Sequence, residues 1–212
     1  MDSCLSWLHL SDLHFLDKHA WRDNRVLGDL IKDIQDRLTA GVQIDLVFCT
    51  GDIGFGETSK EPMSEQYEDA LVFFDQVLNA CGLSRDRLFI VPGNHDIDRK
   101  KVLKSQTEWF RSEKRLLHEI NQEFSDGSLE VINAMARLSA YSDFVNENLP
   151  HLKLNKSSFF GKVLEVNGIK LAITGLNSAW TCVDKDDQLR LWLAGATQLH
   201  ATREAIKTEL AG

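Results

Sequence analysis

Three short polar strings in the first half of the chain carry residue types that bind metal ions. They are Asp12-Leu13-His14, Gly51-Asp52 and Gly93-Asn94-His95-Asp96, and each directly follows an apolar run. Residues two apart in an extended segment point to the same side, so the carboxylate and imidazole of the first string can bind one cation. Mixed oxygen and imidazole ligands suit manganese, iron or zinc. These strings therefore predict a metal site.

Each string alone also has a simpler interpretation. Asp12 can cap a helix beside a buried His14, and Gly51-Asp52 is the composition of an ordinary turn. Asn94 and Asp96 can cap a following helix. The joint arrangement, with all three strings after predicted strands, favours the metal site over three unrelated turns.

Apolar patterning predicts the elements that position these strings. Short apolar runs predict strands at 5–10, 45–50 and 88–91, and helical periodicity predicts helices at 22–40 and 63–81. Strands that alternate with helices favour a parallel sheet, and ligands of such sheets lie at the carboxyl ends of the strands. All three strings are thereby predicted to meet at one edge.

The second half of the chain has a different pattern. Residues 99–150 are charged and helix-prone, and we interpret them as two helices that form a cap insertion. Asn167-Gly168 between apolar runs at 159–166 and 169–174 predicts a β-hairpin. A last helix is predicted at 188–210. The expectation is one α/β domain over 1–212, with a mixed or parallel sheet flanked by helices.

The order DLH, GD and GNHD, each after an apolar strand, resembles the calcineurin-like metallophosphoesterase family. Gly175-Leu-Asn-Ser178 also resembles a later segment of that family. The resemblance covers most of the chain, and the cap is its least typical part. It implies a metallophosphoesterase-like fold and a two-metal centre that hydrolyses phosphate esters.

The resemblance implies metal-binding roles for four residues of this sequence. Asp12 and His14 would bind the first metal, Asp52 would bridge both, and Asn94 would bind the second. Manganese is the expected divalent ion, with iron or zinc as alternatives.

Two further roles concern acid–base chemistry. By the same resemblance, His95 would donate a proton to the departing oxygen of the substrate, and Asp96 would orient it. Arg99-Lys100-Lys101, just after this string, is interpreted as a solvated helix start, with a contact to substrate phosphate as the alternative.

The sequence departs from the family pattern in its later histidines. It has neither a His-His pair nor a Gly-His-x-His string after His95, and the remaining His118, His151 and His200 are predicted to be surface or packing residues. We therefore expect a truncated domain, with further domains C-terminal to this segment. The alternative function is a catalytically incompetent module with an interaction or regulatory role.

The composition of the chain limits which classes of binding partner and substrate are expected. A net charge of -8 disfavours a protein that coats nucleic acid through its own basic surface. It does not disfavour an enzyme that acts on phosphate esters, because bound cations supply positive charge at the site. Phosphodiesters such as nucleic acid or nucleotides are the favoured substrates, and phosphoprotein monoesters remain open. Scattered cysteines without a CxxC pair fit the cytoplasm, and no membrane partner is expected.

Overall fold

A computed structural model describes residues 4–17, 25–58, 60–111, 116–184 and 193–211. Its central sheet has three short parallel strands, β1 (Trp7–Leu10), β2 (Leu46–Thr50) and β3 (Leu88–Val91), in that spatial order. Leu10 lies opposite Cys49, and Cys49 lies opposite Ile90. The carboxyl ends of the strands are therefore level, and the loops that follow them emerge at one edge. The predicted parallel sheet is confirmed.

Two long helices connect these strands. They are α1 (Arg25–Thr39) and α2 (Met63–Cys81). The α2 helix buries a continuous apolar face that includes Tyr67, Phe73 and Phe74 in the main core. It ends at Gly82, whose φ of 69° lets the chain leave the helix in the left-handed conformation. Both helices agree with the predictions, except that residues 22–24 lie outside the described part of the chain.

The segment from 99 to 150 has more helices than predicted. After a short 3₁₀ turn it forms α3 (Lys104–Arg111), α4 (Leu117–Asp126), α5 (Leu129–Ala136) and α6 (Ser139–Asn148). The expectation of two helices was wrong because Gly127 ends α4 in the left-handed conformation and the Ser128 side chain caps α5. Those two residues form a stop and start signal that apolar periodicity alone does not reveal.

The apolar side chains of this segment divide between two clusters. Tyr141 and Phe144 of α6 pack in the main core with the sheet and α2. Phe110 of α3 and Phe124 of α4 instead pack edge-on against the fully buried Trp180, at ring distances of 5.5 and 5.0 Å. Thus α6 belongs to the main body, and the cap packs on the chain after the hairpin.

The predicted hairpin is confirmed as antiparallel β4 (Phe160–Val166) and β5 (Ile169–Gly175). Asn167 and Gly168 form its turn with positive φ values of 52° and 78°. The last helix, α7 (Gly195–Ala211), packs along β4, and its predicted beginning at 188–192 lies outside the described residues. No helix in the described ranges combines the length and apolar character needed to cross a membrane.

One buried carboxylate ties the sheet edge together. Asp96 is fully buried, and its Oδ2 accepts hydrogen bonds from the backbone N–H groups of Ile53 (3.2 Å) and Gly93 (2.8 Å). Its Oδ1 accepts from the Gly54 N–H and from the Tyr67 hydroxyl, both at 3.0 Å. The loop after β2, the loop after β3 and α2 are therefore joined at a single side chain.

Asp96→Asn is expected to lower the free energy of unfolding by about 1–3 kcal/mol, because an amide group replaces one of two acceptors with a donor. Whichever oxygen is replaced, at least one buried backbone N–H loses its partner. Urea unfolding measures the loss.

The matched control is Asp126→Asn, since Asp126 is exposed and, among the described residues, its side chain accepts from Gln122 alone, at the end of α4. It should change stability by less than about 0.5 kcal/mol. Equal stability of the two variants would contradict the role given to Asp96.

Candidate metal centre

Three of the predicted metal ligands have an unusual backbone conformation. Asp12, His14 and Asp52 have φ values of 57°, 50° and 53°. Non-glycine residues seldom adopt positive φ, and each such residue costs roughly 1–3 kcal/mol unless its surroundings enforce it. The loops after β1 and β2 are thus held in a strained form at the positions predicted to bind metal.

Backbone hydrogen bonds between the two loops enforce this conformation. The Asp12 N–H donates to the Gly51 carbonyl at 3.2 Å, and the His14 N–H donates to the Asp52 carbonyl at 3.0 Å. The loop after β1 therefore runs alongside the loop after β2, which continues the parallel pairing of the strands beyond their ends.

Two glycines allow the loops after β2 and β3 to touch. Gly51 has a φ of 104°, and a Cβ there would lie 2.7 Å from Gly93 Cα. A Cβ on Gly93 would overlap the Asp52 carboxylate. The glycines of the GD and GNHD strings are thus needed for close approach, which places Asp52 directly against the third string.

The result is a compact group of ligand atoms. His14, Asp52 and His95 each offer one atom, and these atoms all lie within 4.8 Å of one another. The His14 and His95 rings are 4.5 Å apart between centroids. Each of the three strings contributes one residue, so the predicted convergence at one edge of the sheet is observed.

The surroundings of His95 show which of its ring nitrogens carries the proton. Its Nδ1 lies 2.7 Å from the Phe55 carbonyl oxygen, which can only accept, so Nδ1 carries the proton. Nε2 is then left with a lone pair in the neutral ring. The predicted contact between Asp96 and the His95 ring was wrong. The Asp96 oxygens accept from the backbone amides and the Tyr67 hydroxyl described above, because that carboxylate lies beneath the loop.

In the hydrogen bond between Tyr67 and Asp96, the proton stays on the tyrosine hydroxyl. Burial raises the pKa of the Tyr67 hydroxyl well above its usual range, and the neighbouring Asp96 raises it further. Burial also raises the pKa of the Asp96 carboxyl, while the N–H groups of the loops lower it. The donor is therefore the hydroxyl. Asp96 positions the loops, and its predicted catalytic contact with His95 is replaced by this role.

Asn94 lies at the same edge, between Asp52 and Arg99. In the orientation that satisfies both neighbours, its amide nitrogen donates to Asp52 Oδ2 and its amide oxygen accepts from Arg99 Nη2, each at 3.2 Å. The opposite orientation would set two acceptors face to face and two donors face to face. The Asn94 side chain therefore lies directly against the Asp52 carboxylate of the ligand group.

His14 and Asp12 complete the predicted set. His14 Nδ1 is buried and has no hydrogen-bond partner in the described part of the chain, which also fits a ligand. Asp12 lies outside the three-residue group. Its side chain is 67% exposed, and its Oδ1 is 3.9 Å from His14 Nε2. The residues present therefore suit a divalent cation, with imidazole, carboxylate and amide donors from three loops.

The later polar residues lie elsewhere. The buried Asn177 of the Gly175–Ser178 string donates to the Ser157 carbonyl and accepts from the Trp180 N–H, so it supports the cap. His118 and His200 are exposed, and His151 hydrogen-bonds the Leu88 carbonyl at 2.9 Å. The prediction of surface and packing roles for these three histidines is confirmed.

Two neighbours of the ligand group stand outside the predicted set of site residues, although the sequence left open a contact between Arg99 and substrate phosphate. Phe55 is 44% exposed, and its ring lies 5.6 Å from that of His95 and 6.2 Å from that of His14. Arg99 contacts Asn94. Gly54-Phe55-Gly56 resembles a flexible turn in sequence, so only the folded loop reveals the aromatic ring beside the site.

Comparison with known proteins agrees with this geometry. The family model described as calcineurin-like phosphoesterase matches residues 5–190. An uncharacterized metallophosphoesterase-like protein of Bacillus subtilis (strain 168), YydB, is 32% identical over 94 residues, which is 44% of this chain and 18% of that protein. The chain therefore matches less than a fifth of the length of this relative. The family match covers all three strings and most of the chain, and the chain belongs to the calcineurin-like phosphoesterase family.

Proposed function

We propose that this chain carries the metal-binding part of a hydrolase for phosphodiesters, such as nucleic acid or nucleotides. The observation that carries the proposal is the convergence of His14, Asp52 and His95 from three separate loops. Asp12, His14, Asp52 and Asn94 would hold divalent cations, with manganese as the first ion to test. A bound divalent cation activates water and stabilises the charge on phosphate oxygens.

The chain's own residues would bind the ions and handle protons. Asp52 contacts the third string through the His95 N–H, which donates to its Oδ1 at 2.9 Å. His95, with Nδ1 fixed on the Phe55 carbonyl, would present Nε2 to the departing oxygen and donate a proton from it when the ring is charged.

The alternative is a non-catalytic module with an interaction or regulatory role. Two observations favour it. In the described ranges, the three later histidines lie outside the ligand group, and Asp12 is turned toward solvent. Such a module would bind one ion at most and would not hydrolyse phosphate esters.

Metal analysis with hydrolysis assays tests the proposal. We expect the chain to bind at most one manganese ion with useful affinity, and manganese to support hydrolysis of bis-p-nitrophenyl phosphate above p-nitrophenyl phosphate. Asp52→Asn should lose metal and activity together, because a neutral amide replaces the carboxylate at the centre of the group. Metal binding without hydrolysis of either ester would favour the non-catalytic module, and absence of both binding and hydrolysis would contradict the proposed hydrolase and also favour that module.

His95→Ala separates a proton donor from a metal ligand. As a donor, its loss should lower the rate by roughly 10²–10⁴ on a poor leaving group such as DNA. The loss should be smaller with p-nitrophenolate, which needs little protonation, and bound manganese should remain. Loss of manganese from this variant would instead make His95 a ligand.

Phe55 supports the choice of a nucleotide-containing substrate. Its ring is partly exposed beside the two histidines, and its N–H donates to Gln66 Oε1 at 2.8 Å, which fixes the loop. Exposed aromatic rings stack on nucleobases irrespective of sequence. A base held on Phe55 would place its phosphate near His14 and His95.

Phe55→Ala should therefore weaken AMP binding to the manganese-loaded protein by roughly 10-fold, because a stacked base contributes about 1–3 kcal/mol. Binding of inorganic phosphate should be unchanged. Calorimetry measures both. Trp7→Ala is the control, since Trp7 is 61% exposed at the amino end of β1, away from the site. Equal weakening of phosphate and AMP would show that Phe55 supports the loop and does not stack on the base.

A further inference from the structure

Arg99 is held against the third string. It begins the 3₁₀ turn Arg99–Lys101, and its Nη2 donates to the Asn94 backbone carbonyl at 3.2 Å. Its Nε is buried and has no hydrogen-bond partner among the described residues. The guanidinium is therefore anchored beside the Asn94 side chain and still has unused donor capacity.

The Asn94 amide can face its two neighbours in either of two ways. With its oxygen toward Asp52 Oδ2, its nitrogen meets Arg99 Nη2. At both contacts, each of 3.2 Å, an acceptor then faces an acceptor or a donor faces a donor. With the amide turned over, its nitrogen donates to Asp52 and its oxygen accepts from Arg99, both at 3.2 Å. Without a cation, the second orientation is the favourable one, because it forms both hydrogen bonds.

We infer that Arg99 competes with the divalent cation for the side-chain oxygen of Asn94. In the empty site, Arg99 holds that oxygen and the amide nitrogen covers Asp52. To offer its oxygen to a divalent cation, the Asn94 amide would have to turn and give up this hydrogen bond, and the Arg99 guanidinium would stay on the Asn94 backbone carbonyl. Arg99 is thus a positioning residue that sets metal affinity, an inference that rests on the proposed metal site.

The competition should change manganese affinity by a predictable factor. A hydrogen bond from a charged donor that exists only in the empty state opposes metal binding by its full net strength. Removing it should raise manganese affinity about 10-fold. The Asn94 amide must be present for this effect, because the competition is for its oxygen.

Charge repulsion between Arg99 and the cation would also raise affinity when Arg99 is removed. The two causes differ in one respect. Repulsion does not need Asn94, whereas competition does. A double-mutant cycle therefore distinguishes them.

The experiment measures manganese affinity by calorimetry for the parent chain, Arg99→Met, Asn94→Ala and the double variant. We expect Arg99→Met to bind manganese about 10-fold more tightly than the parent, and the double variant to bind it no more tightly than Asn94→Ala. Lys101→Met is the matched charge control, because Lys101 lies in the same turn and pairs with Asp98 at 3.2 Å. It should leave manganese affinity within about twofold of the parent, since exposed charges are screened.

A second measurement reports on the amide directly. In the metal-free protein, the Asn94 side-chain NH₂ signal in ¹⁵N spectra should shift on adding diamagnetic Zn²⁺, and Arg99→Met should shift the metal-free signal toward the metal-bound position. Unchanged or weaker manganese affinity in Arg99→Met would overturn the inference. So would an equal gain in the Asn94→Ala background. Absence of manganese binding in every variant would overturn the proposed function and this inference together.

Discussion

The Asp96 carboxylate is the contact on which the geometry of the site depends. It lies beneath the loops after β2 and β3 and accepts from a backbone N–H of each, and Tyr67 of α2 completes its hydrogen bonding. Burying a charge is unfavourable unless its hydrogen bonds are satisfied, and four donors satisfy this one. The loops therefore cannot separate without exposing unpaired groups, which fixes Asp52 and His95 relative to each other.

The contacts of Asp96 also explain how the strained backbone at the sheet edge is maintained. Asp12, His14 and Asp52 adopt positive φ, and the free energy that this costs is offset by the backbone ladder and by the Asp96 contacts beneath. In this conformation, ligand atoms from three different strand ends come within 4.8 Å of each other. Nitrogen and oxygen atoms with lone pairs are held rigidly around a small volume. Such a site suits a cation, which neutralises the repulsion among these atoms.

Much of this arrangement follows from sequence. The apolar runs predict β1, β2 and β3, and the strings at their carboxyl ends predict which residues meet, because parallel strands deliver their loops to one edge. The number of cap helices did not follow, since Gly127 and Ser128 interrupt an otherwise continuous helical pattern. The contacts of Asp96 also did not follow. A buried aspartate that binds backbone amides and one that orients a neighbouring histidine have the same sequence, and only the path of the loops distinguishes them. The roles of Phe55 and Arg99 likewise depend on contacts between residues that come together only in the fold.

Anomalous scattering from manganese in crystals of this protein is the most direct test of the central claim, that three strand-end loops form one metal site. We expect an anomalous peak in contact with an imidazole nitrogen of His14 and a carboxylate oxygen of Asp52, with the Asn94 amide oxygen turned toward it. Crystals with these loops folded as described, but with manganese bound only elsewhere or not at all, would show that the three loops do not form a metal site.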